Sequence, residues 1–262
     1  MGTSTSNNGQ KGNTPLVPSW LNGGNVKQSG LEKENSKRFR APRNNFTRFV
    51  NSGGKNTEKL RIATSSYIQQ SLGGSENATM RIGAGRDSVA NLISVFNGFI
   101  TQGISDTQHS FSLGDIVGKD ALDALIHLMN FVCPDGGKVD EGIARNAYIE
   151  AINYLSYLEN KKIEDLTAPE YLEIVKVYIV HIIINRLVID IGNKLFSLPK
   201  NASETDHVRE QIVDYVKGAV SDAISELDTD VSKIKPSQAK AIVESIYKKS
   251  FDIMKESGDK NE

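Results

Sequence analysis

The stretch from Leu172 to Ile191 constrains the fold more than any other part of this sequence, because it is apolar on nearly every side of a helix. A helix without a polar face is stable in water only when other elements cover it all round. Thr167 and Glu170 have the spacing of a capping box and Pro169 suits a first turn, so we expect a helix from there to about Leu198. The stretch therefore predicts the central helix of a bundle.

Apolar residues recur at helical spacing through most of the remaining chain, and glycine or proline ends each stretch. We expect Asp140 to cap one long helix, Pro236 to begin the last one, and residues 256–262 to fray. No run alternates with period two, so residues 55–262 are predicted to form a single all-α, bundle-like domain. The expected inward faces are Leu60, Ala63, Tyr67, Ser71 and Leu72; Val89, Leu92, Ile93, Phe96, Phe99 and Ile100; Leu122, Leu125, Ile126, Met129 and Val132; Ala144, Ala147, Tyr148, Ala151, Leu155 and Leu158.

Residues 1–37 contain few apolar side chains and predict a disordered tail and linker, since they cannot bury enough surface to offset their ordering entropy. The exception is TPLVPSW at 14–20, in which two prolines hold the backbone extended and pre-organise a docking hook. The residues expected to bind a partner are Pro15, Leu16, Val17, Pro18 and Trp20.

Gly2 follows Met1, whose removal would leave a free and unhindered α-amine. We hypothesise that a partner docks the hook and reads or modifies this amine. A merely tolerated flexible terminus is the simpler alternative. A third reading is a lipid anchor, because Gly2 and Ser6 match the myristoylation pattern.

Residues 38–54 form a basic-aromatic arm, RFRAPRNNFTRFVNSGG. Asn44 or Asn45 is expected to cap a short helix that Gly53 and Gly54 end. The arginines would grip phosphates while the rings stack on bases, or else the rings anchor the arm in the core and the arginines are solvated or acid-paired. The residues concerned are Arg38, Phe39, Arg40, Arg43, Phe46, Arg48 and Phe49.

The charge distribution is consistent with either use of the arm. Residues 1–61 carry 11 Lys or Arg against 3 Asp or Glu, whereas the remainder carries 20 against 29. A basic arm on an acidic body suits a nucleic acid, an acidic surface or the protein's own body.

Residues that could carry catalysis are scattered. The four histidines, His109, His127, His181 and His207, fall in different elements, and we expect His127 and His181 to be hydrogen-bonded core residues. Arg186, Asp190 and Lys194 are spaced to pair on the central helix as a satisfied buried charge set. Cys133 lacks a positioned base. The sequence thus predicts no enzyme, metal or cofactor, and it predicts a cytoplasmic location without membrane contact.

Three stretches together resemble the QatB family of bacterial Qat anti-phage systems. They are MGTSTSNNG with TPLVPSW, then RFRAPRNNFTRFVNSGG, then FVCPDGGKVDEGIARNAYIEAI at 131–152. The resemblance implies three partners: a QueC-like enzyme (QatC), a P-loop ATPase (QatA) and a TatD-like nuclease (QatD). It also implies that this chain is a scaffold or a substrate.

The resemblance gives the tail a chemical hypothesis. QueC enzymes use ATP to activate a deazapurine carboxylate and couple it to an amine. We expect QatC to hold the hook and to acylate Gly2 with a deazaguanine-type group. An α-amine titrates near ~8 and a lysine near ~10.4, so the terminal amine is the better nucleophile at neutral pH. Nucleic-acid binding through the arm is the alternative.

Overall fold

The computed structural model of the chain describes residues 37–134, 137–192, 202–227 and 233–259. Regular structure in these ranges is helical, with one isolated bridge between Asp120 and Lys162. The helices are α1 Arg40–Asn51, α2 Thr57–Ser66, α3 Ser75–Arg81, α4 Ala84–Thr101, α5 Ile104–Phe111, α6 Ala121–Val132, α7 Val139–Tyr154, α8 Ala168–Ile191, α9 Ala202–Glu226 and α10 Pro236–Asp259. The predicted all-α class is confirmed.

Helix α8 is the central helix that the sequence predicts. It packs against α1, α4, α7 and α9, and buried side chains lie on every side of it. The capping box of Thr167 and Glu170 forms at its start, with the Thr167 amide 2.8 Å from the glutamate. The helix ends at Ile191, and the remaining predicted stretch, which includes Lys194, lies outside the described residues.

Helix α10 is a second inner helix, and it packs against α2, α3, α4 and α9. It begins at Pro236 as predicted. The expectation of fraying from Glu256 is wrong as far as Asp259, because Gly258 packs against α2. A Cβ at Gly258 would collide with the Cβ of Ser65 and would lie 2.7 Å from the Arg61 carbonyl oxygen. Only glycine permits this approach.

Two helix boundaries differ from the prediction. Asp140 does not cap α7, because the helix begins at Val139 and Lys138 is the N-cap residue. The Lys138 amide donates a hydrogen bond to the Glu141 carboxylate at 3.0 Å. Asp140 instead lies in the first turn and pairs with another helix. Helix α1 begins at Arg40 and not at Asn44 or Asn45. Proline at position 42 fits there, since amides of a first turn have no intrahelical acceptor.

The apolar face of α6 is rotated from its prediction. Ala124 and Leu128 are fully buried, whereas Ile126 is 50% exposed. Ala121 and Ala124 share the buried side with Leu125, so the buried stripe includes small residues that a pattern of large apolar side chains does not reveal. His127 is on the exposed side, so its prediction as a core residue is wrong.

The other stripes lie as predicted. Helix α2 continues into a π-helical turn, Tyr67–Ser71, and stops at Gly73 and Gly74, which have φ angles of 81° and 110°. Helix α4 buries the predicted face from Val89 to Phe99. Among the helices of the described ranges, none has both the length and the apolar character that crossing a bilayer requires.

Candidate functional site

The predicted tail sites fall outside the part of the chain that the structure describes. Gly2 and the hook, with Pro15, Leu16, Val17, Pro18 and Trp20, belong to this group. They remain predictions. The described chain begins at Lys37, so the arm is the first segment whose placement can be compared with the sequence.

The rings of the arm face the core. Phe46 and Phe49 are 1% and 0% exposed, and Phe39 is half-buried with its ring centroid 6.2 Å from that of Tyr67. Stacking of Phe46 or Phe49 on a base would require the ring to leave the core, which costs about 3 kcal/mol or more by analogy with truncation of a buried phenylalanine. The burial agrees with the core-anchor alternative.

The arginines of the arm divide into two groups. Arg43 donates two hydrogen bonds to the backbone carbonyl of Asp190, at 3.1 Å from Nε and 3.0 Å from Nη2, and its guanidinium lies 5.2 Å from the Phe39 ring. Arg38, Arg40 and Arg48 have exposed side chains. Arg43 therefore holds α1 against the C-terminal end of α8.

Asp190 is the centre of a polar cluster in which α8 meets four other elements. Tyr67 donates to its Oδ2 at 2.6 Å, and Arg81 binds both oxygens at 3.0 and 3.1 Å. Arg186 lies 3.3 Å from Oδ2 as an ion pair and donates to Asp140 at 2.7 Å. These side chains, together with Arg43, are called the Asp190 cluster below.

The Asp190 cluster combines three arginines with two aspartates and the neutral hydroxyl of Tyr67. Burial raises the pKa of Asp190, but the hydrogen bonds from Arg81 and Tyr67 and the charge of Arg186 outweigh burial and hold the pKa below its usual range. Asp190 is therefore ionised at neutral pH. The sequence identified the Arg186–Asp190 pair, whereas Tyr67, Arg81 and Asp140 were not predicted.

Cys133 is not arranged as a nucleophile. Its thiol is buried and lies 3.0 Å from the Tyr178 hydroxyl. Burial raises the pKa of the thiol more than the hydrogen bonds from Tyr178 and Ser88 lower it, so the protonated form is favoured. Within the described ranges, no group of three or more His, Cys, Asp or Glu side chains has a metal-binding arrangement.

A cleft of about 420 Å³ lies between α7, α8 and α9. We call it the His181 cleft. It falls within the range of about 300–1,000 Å³ that ligand pockets span. Ile184, Val188, Ile212 and Val213 make up its apolar wall. Its polar lining consists of Glu150, Asn153, Tyr154, His181, Asn185 and Arg209.

His181 has one partnered and one unpartnered ring nitrogen. Nδ1 lies 3.4 Å from Glu150 Oε2, while Nε2 is buried without a hydrogen-bond partner. The side chain is 12% exposed, and the ring of Tyr154 stands edge-on to it at 5.9 Å. The sequence predicts a hydrogen-bonded core histidine here; the hydrogen bond forms at Nδ1, but the side chain lines a cleft and is only partly buried.

Glu150 determines which ring nitrogen carries the proton. Burial raises the pKa of Glu150, but its contacts with His181, Asn185 and Asn146 outweigh burial and lower it. A charged carboxylate accepts hydrogen bonds only, so Nδ1 of His181 carries a proton and donates to Glu150. Asn185 adds a second buried nitrogen, Nδ2, that makes no hydrogen bond of good geometry.

Two exposed tyrosines lie at the end of α7 and just after it, and one of them, Tyr154, lines the cleft. Tyr154 is 43% and Tyr157 62% exposed. Lys217 lies 5.2 Å from the centre of the Tyr154 ring and 3.4 Å from a Glu173 oxygen. Tyrosines held in place beside a pocket are typical of protein-binding surfaces.

One comparison with known proteins gives a match. The model of a family described as QatB, Qat anti-phage system associated protein QatB, matches residues 73–254. The matched range includes every residue that lines the His181 cleft and ends within α10. No curated protein and no solved structure matches the chain.

Proposed function

This chain belongs to the QatB family of Qat anti-phage system associated proteins, and from that premise we propose that it serves anti-phage defence as a binding component whose N-terminal segment is presented to a QueC-like enzyme, QatC. In this proposal the helical body is a scaffold and the Gly2 amine is the substrate of an ATP-dependent modification. The ATPase QatA and the nuclease QatD act alongside it.

The observation that carries the proposal is the anchoring of α1. The helix buries Phe46 and Phe49 in the core, and Arg43 binds the carbonyl of Asp190. Residues 1–36 thus lead directly into a helix that is fixed to the body. Because α1 is fixed to the body, a single partner can bind the hook and the body together and combine the binding energy of both.

The modification is an acyl transfer. ATP activates the carboxylate of the deazapurine as an acyl-adenylate, with release of pyrophosphate. The Gly2 nitrogen attacks the acyl carbon, an amide N–C bond forms, the C–O bond to AMP breaks, and the amine loses a proton. Binding of residues 14–20 away from the reacting amine holds the nitrogen near the acyl carbon and reduces the entropic cost of the reaction.

Intact mass spectrometry of this protein produced with and without QatC tests the substrate role. We expect an added mass that depends on QatC and that peptide mapping places on Gly2. Lys11→Arg is the matched control, because it removes the nearest side-chain amine and should leave the added mass unchanged. A mass that changes only by loss of Met1 would overturn the substrate role.

Co-purification tests the docking role separately. Trp20→Ala should weaken the recovery of QatC by roughly tenfold or more, as expected for a buried aromatic anchor. Leu21→Ala, one residue beyond the hook, should leave recovery unchanged. Equal recovery with all three proteins would remove the hook from the interface.

A further inference from the structure

The His181 cleft is a feature that the proposed function does not use. Its volume of about 420 Å³ is many times the ~10–15 Å³ that one water molecule needs. Aliphatic side chains make up one wall, and carboxylate, amide and guanidinium groups line the rest. A mainly apolar cavity with a few polar groups is the usual form of a small-molecule site.

The α7 wall of the cleft carries a negative charge. Burial raises the pKa of Glu150, but its contacts with His181, Asn185 and Asn146 outweigh burial and lower it, so the carboxylate is ionised at neutral pH. The side chain is 41% exposed. A carboxylate has about four acceptor positions, so three neighbours leave room for a further donor. Glu150 can therefore accept a hydrogen bond from a ligand.

The α9 wall carries a positive charge. Arg209 lines the cleft with an exposed side chain, and it forms no ion pair with Glu150 or with any other residue of the described ranges. Lys217 differs, since it lies 3.4 Å from a Glu173 oxygen and 5.2 Å from the centre of the Tyr154 ring. A guanidinium presents paired N–H donors that match a carboxylate. Arg209 is therefore available to an anionic group of a ligand.

The two charges and the aliphatic wall together define the class of ligand. A purely cationic ligand would leave Arg209 without a partner, and a purely anionic one would be repelled by Glu150. A molecule with both charges complements both walls, while an apolar group on it removes Ile184, Val188 and Val213 from water. Aliphatic amino acids and very short peptides of them combine these features.

We propose that the His181 cleft binds a small zwitterion with an aliphatic side chain, either a free amino acid or a very short peptide. The ammonium group of the ligand donates to Glu150, its carboxylate accepts from Arg209, and its side chain packs against the aliphatic wall. Helices α7, α8 and α9 form the whole site, so binding requires neither QatC nor modification of Gly2. The helical body is then a receptor for a soluble ligand in addition to its proposed role as a scaffold.

Isothermal titration calorimetry of the full-length protein, without QatC, tests the site with leucine, isoleucine and valine as probes. N-acetyl-leucine lacks the ammonium group and leucinamide lacks the carboxylate. Each should bind roughly tenfold or more weakly than leucine, the loss expected when a hydrogen bond between charged groups is removed. Glycylleucine and leucylglycine, in which a peptide unit separates the two charges, distinguish a short peptide from a free amino acid as the preferred ligand.

Variants assign each charge to its residue. Glu150→Gln should weaken leucine binding about tenfold without weakening N-acetyl-leucine further, and Arg209→Gln should do the same without weakening leucinamide further. Glu210→Gln, beside Arg209 but outside the cleft lining, is the control for charge. Val213→Trp fills the cleft and should abolish binding, whereas Gln211→Trp, on the same helix and outside the lining, should bind as the wild type does. Circular dichroism verifies that each variant is folded.

Three results would overturn the proposal: no binding of any amino acid or dipeptide probe, equal affinity for leucine in the wild type, Glu150→Gln and Arg209→Gln, or unchanged binding in Val213→Trp. The proposed function fails separately, because it is measured by added mass on Gly2 and by recovery of QatC. A ligand bound without modification of Gly2 would retain the cleft as a receptor and remove the substrate role alone.

Discussion

Helix α8 carries two polar sites that differ in their surroundings: the residues around Asp190 pair with one another, whereas those around His181 line a cleft. At Asp190, every participating side chain has a charged or hydrogen-bonded partner within the protein. At His181, nine residues earlier, the ring nitrogen Nε2 has no hydrogen-bond partner. Burial of polar groups alone does not indicate function. Incomplete pairing alone does not either, since Arg186 Nε of the Asp190 cluster also lacks a hydrogen bond of good geometry; the His181 site differs because its side chains line a cleft.

The first way to test this comparison is to remove the central charge of the Asp190 cluster. Asp190→Asn should lower the free energy of unfolding by about 3 kcal/mol, at the low end for a broken buried ion pair because Arg81 is partly exposed. Urea unfolding followed by circular dichroism measures the change. Asp214→Asn, an exposed carboxylate in the middle of α9, is the control and should change stability by less than about 0.5 kcal/mol.

Acid should act on the same cluster in a defined direction. The folded-state pKa of Asp190 lies below its ordinary value of 3.8, so the unfolded chain binds more protons and stability falls as the pH drops through that value and below. Each such group contributes at most about 1.4 kcal/mol per pH unit. Unfolding measured at successive pH values below 5 should show a shallower loss in Asp190→Asn than in the wild type. Parallel curves would mean that Asp190 is not the carboxylate responsible.

A smaller effect is expected in the His181 cleft. Glu150→Gln should cost no more than about 1 kcal/mol, because the carboxylate is 41% exposed and surface ion pairs contribute little. The same urea experiment gives the value. If Glu150→Gln lowered the free energy of unfolding as much as Asp190→Asn does, the two sites would not differ, because both would then stabilise the fold.

The smallest effect is expected at the exposed arginines of the arm. Replacement of Arg40 and Arg48 by alanine should change stability by less than about 0.5 kcal/mol, whereas Arg43→Ala removes two hydrogen bonds to Asp190.

The variant that lacks both Arg40 and Arg48 also tests the nucleic-acid alternative. If the arm binds phosphates, the salt dependence of binding should decrease by about one unit for each arginine removed. Binding that is absent or insensitive to salt would reject that function.

The sequence predicts those parts of the fold that depend on neighbours along the chain. The capping box at Thr167, the stop at Gly73 and Gly74 and the start at Pro236 are confirmed, because backbone geometry within one or two turns determines each of them. The central helix is also confirmed, because an unbroken apolar surface has only one stable environment.

Contacts between distant parts of the chain could not be predicted in this way. The partners that Asp190 finds in Arg81, Tyr67 and Arg43 are 109, 123 and 147 residues away. Helical spacing shows only the partner four residues away, Arg186. The face of α6 was misassigned for a related reason, since small residues define a buried side only when the neighbouring helices are known.

The sequence contains one pattern from which the His181 cleft could have been predicted. His181 and Asn185 are four residues apart, so they interrupt the apolar surface of α8 on a single face. One polar residue on such a helix is commonly paired inside the core. Two on the same face indicate a gap between helices, although Glu150, their partner on α7, becomes apparent only in the structure.

The position of α10 has a consequence for biosynthesis. This helix packs against α2, α3, α4 and α9, so the body cannot close until the ribosome has released residues near 259. At about 5–20 residues per second, Trp20 leaves the ribosome roughly ten to fifty seconds earlier. A partner enzyme that acts during translation would therefore meet the N-terminal segment on a nascent chain, before the helical body has been assembled.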